Sequence, residues 1–124
     1  MAGDYEFVAG TLDTGDGGHV DNAVYPKYVA TVRERFLRET VPRFEAYERP
    51  VVRLEVDYHA ELFAGETFYG EVEVLDVGTT SFTTEITLST EDETITTAKT
   101  VQVLVDPDAD EPTPVPDDWR AALT

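Results

Sequence analysis

The sequence predicts an α+β domain in which a five-stranded antiparallel sheet packs around one long helix. Two hydrophobic patterns support this prediction. Apolar residues recur at helical spacing between residues 22 and 41, and after Pro50 they alternate with the period of two that is typical of strands. The length agrees, because 124 residues with 41% apolar side chains suffice for one domain with a modest core.

The helix is predicted to begin near Asn22 and to end before Pro42, which gives about 20 residues and a length of roughly 30 Å. Asp21 or Asn22 is expected to be its N-cap, and Pro26 falls early enough to be tolerated in the first turn. The apolar stripe of this helix comprises Tyr25, Tyr28, Val29, Val32 and Phe36.

The strands are predicted from alternation at residues 4–12, 51–58, 67–77, 81–90 and 94–106. The last three are joined by links of hairpin length and should form an antiparallel meander. The link at 59–66 is too long for a tight hairpin, so the strand before it is expected elsewhere in the sheet. In that strand, the residues expected to share one face are Val52, Leu54, Val56 and Tyr58.

The predicted domain covers residues 1–106. Residues 107–124 are rich in proline and aspartate and are expected to form an acidic surface arm with a short helix around Trp119.

Charge is the most unusual property of the sequence. Twenty-six acidic residues face nine basic ones, for a formal net charge of −17. Such self-repulsion destabilises a compact state in dilute salt, whereas at about 1 M salt the Debye length falls to roughly 3 Å. The composition is typical of a salt-loaded cytoplasm such as that of a halophilic archaeon, with ordinary acidic solubility as the alternative. Binding to nucleic acid is disfavoured, because no basic stripe is present.

Other classes are excluded by what the sequence lacks. It has no cysteine, which removes disulfides and thiol catalysis. No apolar run is long enough for a membrane span, and the N-terminal residues do not have the pattern of a signal peptide, so a cytoplasmic protein without a membrane partner is expected.

A glycine-rich acidic loop, DTGDGGHVDN at residues 13–22, precedes the helix. A calcium loop would need oxygen ligands where Gly15 and Gly17 stand, and a metal hydrolase would need more histidines than the two present. A phosphate-binding P-loop would end in Gly-Lys-Ser/Thr, which is absent. No metal is therefore expected.

This loop and the order of elements resemble the hotdog-fold acyl-CoA thioesterases, and within them the 4-hydroxybenzoyl-CoA thioesterase-like family. That family carries D-x-D-x-x-G-H-V-N-N-x-x-Y-x-x-Y between its first strand and its helix. Here the pattern continues through Gly18-His19-Val20-Asp21-Asn22 to Tyr25 and Tyr28, and Arg33 stands where the family often has arginine. The similarity covers nearly the whole chain.

The resemblance implies hydrolysis of an acyl-CoA thioester by a homodimer or homotetramer, with no cofactor. The backbone N–H of Asn22, or of Asp21, would bind the thioester carbonyl, and Asp16 or Asp13 would act as nucleophile or base beside His19. The resemblance also implies substrate contacts from Gly17, Gly18, Val20 and Tyr25.

The sequence departs from the family where the chemistry is done. The family's catalytic aspartate position is Gly15, and a glutamate pair often found on its helix is replaced by Ala30 and Thr31. Asp16, one residue along, would have to reach the vacant place. A non-catalytic acyl-CoA-binding protein is therefore the alternative, and a hydratase ranks below it because neither Asp13 nor Asp16 has the required spacing to His19.

Each candidate also has a purely structural interpretation. The two loop aspartates are typical turn formers, and His19 is suited to hydrogen bonds with backbone. Tyr25 and Tyr28 suit core or dimer contacts. The residues that suit either surface charge or a CoA phosphate are Arg33, Arg35, Arg38 and Lys99.

Overall fold

The computed structural model describes residues 5–10 and 16–124 of the chain. Its strands are β1 (Tyr5–Val8), β2 (Val51–Tyr58), β3 (Thr67–Val77), β4 (Ser81–Ser89), β5 (Thr94–Val103), β6 (Val105–Asp106) and β7 (Glu111–Pro112). Its helices are α1 (Tyr25–Thr40) and α2 (Asp117–Leu123), with 3₁₀ turns at Asp16–Gly18 and Phe44–Ala46.

The main sheet has the strand order β1-β3-β4-β5-β2, with every neighbouring pair antiparallel. The α+β class, the meander of β3, β4 and β5, and the placement of β2 away from its sequence neighbour β3 are therefore as predicted. The helix α1 packs over β3 and β4, at the centre of the sheet.

The start of α1 differs from the prediction. The helix has 16 residues and begins at Tyr25, with Val24 as an N-cap that lacks a side-chain hydrogen bond. The Asp21 carboxylate instead accepts a hydrogen bond from the Ala23 N–H at 2.9 Å, which closes a separate turn before the helix. The helix is therefore about 24 Å long rather than 30 Å, and neither Asp21 nor Asn22 caps it.

The predicted apolar stripe of α1 is the face that packs on the sheet. Tyr25, Val29, Val32 and Phe36 are buried, and Tyr28 is partly buried against them. Their spacing places them on one side of the helix, which is the reason the sequence forms an amphipathic helix here.

The apolar face predicted for the second strand is largely exposed. Val52 is 60% exposed, Leu54 41% and Tyr58 49%, while Val56 is partly buried. The strand lies at the far edge of the sheet, whereas α1 packs mainly over β3 and β4. Apolar alternation here therefore marks an uncovered edge strand.

The C-terminal segment is only partly the expected surface arm: residues 107–112 are exposed, but the short helix α2, predicted around Trp119, packs into the core. Trp119 on α2 is 0% exposed and its ring contacts Tyr47 and Phe82. Arg120 donates hydrogen bonds to the carbonyl oxygens of Val77 and Gly78, so α2 is anchored at the end of β3. An indole ring buries enough apolar area to hold this segment on the protein. In the described part of the chain, neither helix is of the length and apolarity that a membrane span requires.

Candidate active site

The glycine-rich loop enters the described region as a 3₁₀ turn at Asp16–Gly18. Gly17 has φ 87° and Gly18 has φ 80°, a left-handed conformation that glycine adopts at no steric cost. Asp13 lies outside the described residues, and so does the side chain of Asp16.

The segment after β2 holds this loop in place. The Val20 N–H donates to the Leu62 carbonyl at 2.8 Å, and the Ala64 N–H donates to the Gly18 carbonyl at 2.9 Å. Between these two bonds His19 forms an antiparallel bridge with Phe63, and their rings meet edge to face at 6.4 Å. The long link at 59–66 thus pairs with the loop like a short strand, a partnership that the sequence did not reveal.

Two of the residues expected to contact substrate lie in the core. Val20 and Tyr25 are each 1% exposed. The Tyr25 hydroxyl accepts a hydrogen bond from the Leu62 N–H at 3.0 Å, and burial, as the largest cause, raises the pKa of Tyr25. Both side chains therefore belong to the core that the loop packs on. Contact of either side chain with substrate stays a prediction.

The residues between the loop and α1 form the mouth of the helix. The Asp21 carbonyl accepts a hydrogen bond from the Val24 N–H at 2.9 Å. The Asn22 carbonyl accepts one from the Tyr58 hydroxyl at 3.0 Å. Among the described residues, the Asn22 N–H has no acceptor. Asn22 is an exposed residue at the start of the turn that leads into α1.

The cations considered for a CoA phosphate have carboxylate neighbours. Arg33 is 7% exposed and lies 3.5 Å from a Glu34 oxygen, and its burial, more than any other influence, lowers its pKa. Arg35 and Arg38 pair with Glu39 and Glu45. Lys99 is exposed on the sheet face opposite α1, between its register neighbours Glu55 and Glu85. None of the contacts named in this paragraph involves a residue of the helix mouth.

The comparisons with known proteins agree with this architecture. Residues 9–123 match the family model of the Thioesterase-like superfamily. The chain belongs to that superfamily. No curated protein is significantly similar to it in sequence.

Solved structures resemble this member of the Thioesterase-like superfamily along nearly its whole length. A thioesterase from Thermus thermophilus, complexed with coenzyme A and Zn, is 24% identical over 97% of this chain and 95% of its own, with a TM-score of 0.86. A predicted thioesterase from Bacillus stearothermophilus is 23% identical over 97% of this chain and 92% of its own, with a TM-score of 0.88.

A third structure, the 1,4-dihydroxy-2-naphthoyl-CoA thioesterase Slr0204 from Synechocystis, is 17% identical over 97% of this chain and 93% of its own, with a TM-score of 0.84. At sequence identities this low, the structural similarity establishes the fold alone. The expected hotdog fold and membership of the Thioesterase-like superfamily are confirmed, and the narrower 4-hydroxybenzoyl-CoA thioesterase-like family stays a prediction.

Proposed function

We propose that this protein hydrolyses an acyl-CoA thioester to the free acid and CoA. The observation that carries the proposal is the N–H of the exposed residue Asn22, which has no acceptor among the described residues and lies at the mouth of α1 in a member of the Thioesterase-like superfamily. The Thermus thermophilus relative complexed with coenzyme A and the Synechocystis 1,4-dihydroxy-2-naphthoyl-CoA thioesterase support this class of substrate.

In the proposed reaction, the thioester carbonyl oxygen accepts a hydrogen bond from the Asn22 N–H. The helix dipole favours negative charge at this end of α1. As the carbonyl carbon is attacked, the oxygen becomes an oxyanion, and a well-placed donor is worth about 3–4 kcal/mol at that stage.

An aspartate of the glycine-rich loop supplies the carboxylate, with Asp16 preferred to Asp13. As a base, it takes a proton from water while the water oxygen attacks the carbonyl carbon. The tetrahedral intermediate then collapses, the carbon–sulfur bond breaks, and the CoA thiolate leaves and takes up a proton. As a nucleophile, the carboxylate would form an anhydride that water hydrolyses in a second step. His19, held by its bridge to Phe63, belongs to the same loop.

The test is release of CoA thiol in about 2 M KCl, a concentration at which surface repulsion is largely screened. A panel of aromatic and fatty acyl-CoAs is compared for wild type, Asp16→Asn and Asp13→Asn. We expect turnover by wild type and Asp13→Asn, and its loss in Asp16→Asn. Full activity in Asp16→Asn would overturn the assignment of Asp16, and loss in Asp13→Asn alone would transfer the role to Asp13.

A non-catalytic acyl-CoA-binding protein is the second candidate, and Gly15 at the family's aspartate position favours it. Calorimetric titration with the same acyl-CoAs separates the two functions. Binding without turnover for every substrate would establish the second candidate and contradict the first.

We further propose that two copies pair through the outer edge of β2, where the main sheet ends. An open edge with exposed Val52 and Leu54 invites strand addition. Arg53 and Glu55 form an ion pair on this edge, and an antiparallel pairing centred on Leu54 would bring each next to its opposite charge in the second copy.

Light scattering tests this pairing, and its mass distinguishes a homodimer from a homotetramer. We expect Leu54→Glu to yield monomers, and Thr87→Glu, which adds the same charge on β4, to leave the wild-type mass unchanged. A monomeric wild type would contradict the pairing.

The excess of acid and the lack of cysteine support a cytoplasmic, halophilic setting for this protein.

A further inference from the structure

We infer that the Tyr58 hydroxyl is a positioning group that fixes the direction of the Asn22 N–H, an inference that rests on the proposed function. Tyr58 is the last residue of β2, and its hydroxyl donates to the Asn22 carbonyl at 3.0 Å. The bond joins the outer strand of the sheet to the mouth of α1, 36 residues apart in sequence. Tyr58 does not contact the reacting atoms in this scheme.

The bond matters because it completes the restraint of one peptide plane. The Asn22–Ala23 peptide is held at its carbonyl by Tyr58 and at its N–H by the Asp21 carboxylate, at 2.9 Å. A trans peptide is planar, so bonds at both ends fix its orientation.

The preceding peptide, between Asp21 and Asn22, carries the proposed oxyanion donor. Its carbonyl accepts the Val24 N–H at 2.9 Å, which sets the orientation of one end. Its N–H points the opposite way, as in every trans peptide. The bond from the Val24 N–H to the Asp21 carbonyl closes a turn that spans both peptides, so rotation of the Asn22–Ala23 peptide would disturb that bond and turn the donor with it. Of the polar groups in these two peptides, the Asn22 N–H alone lacks a partner among the described residues.

Tyr58 is itself held by its ring and its strand. The ring meets that of Tyr25 edge to face at 5.5 Å, and Tyr58 is paired in register with Thr96 on β5. Phenylalanine has the same ring without the hydroxyl, so Tyr58→Phe keeps the ring contact, and at a residue that is 49% exposed it leaves no large cavity. Tyr58→Phe therefore separates the orienting bond from packing.

We expect Tyr58→Phe to lower kcat by about 10- to 100-fold with KM unchanged, because a misdirected donor weakens the transition state rather than substrate binding. We also expect the Ala23 amide proton to exchange with solvent about tenfold faster by NMR, because its peptide plane is less restrained. The thermal midpoint should be unchanged. The control is Tyr69→Phe, which removes a tyrosine hydroxyl from the sheet face opposite α1 and should alter neither quantity.

Equal kcat and equal Ala23 exchange in Tyr58→Phe would overturn the inference, as would a rise in KM alone. If wild type binds acyl-CoA without turnover, the proposed function is contradicted but the orienting role of Tyr58 is not. The exchange rate of Ala23 then still decides whether Tyr58 orients this turn.

Discussion

Gly70 on β3 lies directly beneath Val32 on α1, so closely that a Cβ at position 70 would stand 2.5 Å from Val32 Cγ2. The helix therefore approaches the sheet at its centre to a distance that only glycine permits. This contact sets the distance between α1 and the sheet, and therefore also the position of the helix mouth relative to the strands.

Gly70→Ala is expected to lower the free energy of unfolding by about 1–3 kcal/mol, because the added methyl group overpacks the helix–sheet contact. Urea unfolding measures the loss. The double variant with Val32→Ala should lose less than the sum of the two single changes, since removing the valine methyl groups makes room for the new one. Strict additivity would show that the two residues do not compete for space.

Trp119→Ala is expected to lower the free energy of unfolding by about 3–5 kcal/mol, the usual cost of deleting a buried aromatic side chain. The physical reason is its complete burial against Tyr47 and Phe82. Trp119→Phe, which keeps an aromatic ring, should lose less. A loss below about 1 kcal/mol for the alanine variant would restore the interpretation of a surface arm.

Tyr5 makes stability fall at alkaline pH. Burial, and then the neighbouring Glu39 carboxylate, raise the pKa of Tyr5 to about 12 from its ordinary value of 10.0. The folded state thus keeps a proton that the unfolded state releases, so this contribution is complete below pH 10 and is lost as pH rises towards 12. Between these values the unfolding temperature of wild type should fall more steeply than that of Tyr5→Phe. Parallel curves for the two proteins would contradict this assignment.

Potassium chloride is expected to raise the thermal midpoint between about 0.1 and 2 M, because a formal charge of −17 repels itself in dilute salt. A local test uses Glu73 and Glu85, which are paired in register on neighbouring strands. Glu73→Gln should stabilise the protein by about 0.2–1 kcal/mol in dilute salt, and the gain should vanish at about 2 M. A midpoint that does not change with salt would refute the role of surface repulsion.

Much of the fold was predictable from the sequence because its patterns are local. The stripe from Tyr25 to Phe36 reports one helix face, and the short links around β4 require adjacent antiparallel strands. Burial of β2 was not predictable, because alternation of Val52 and Leu54 does not say whether anything covers the strand. The short helix around Trp119 was predicted, but its burial was not, because the acidic composition around it concealed a single side chain that is large enough to anchor α2.

The candidate site was only partly predictable, for a related reason. The motif identified the His19 loop and Asn22, which are close in sequence. It did not identify Tyr58 or Leu62, whose hydrogen bonds reach across the fold to Asn22 and Val20. The one sequence feature that could have indicated these contacts was the length of the link at 59–66, which is longer than a hairpin needs.

The exposed edge of β2 has a consequence for how the protein is handled at the bench. Under the proposed pairing, a second copy covers the strand to which Tyr58 belongs, and this would connect the geometry of the helix mouth to assembly. If pairing steadies this strand, specific activity should fall on serial dilution as pairs separate, and a rate measured at nanomolar protein would understate the turnover in a crowded cell.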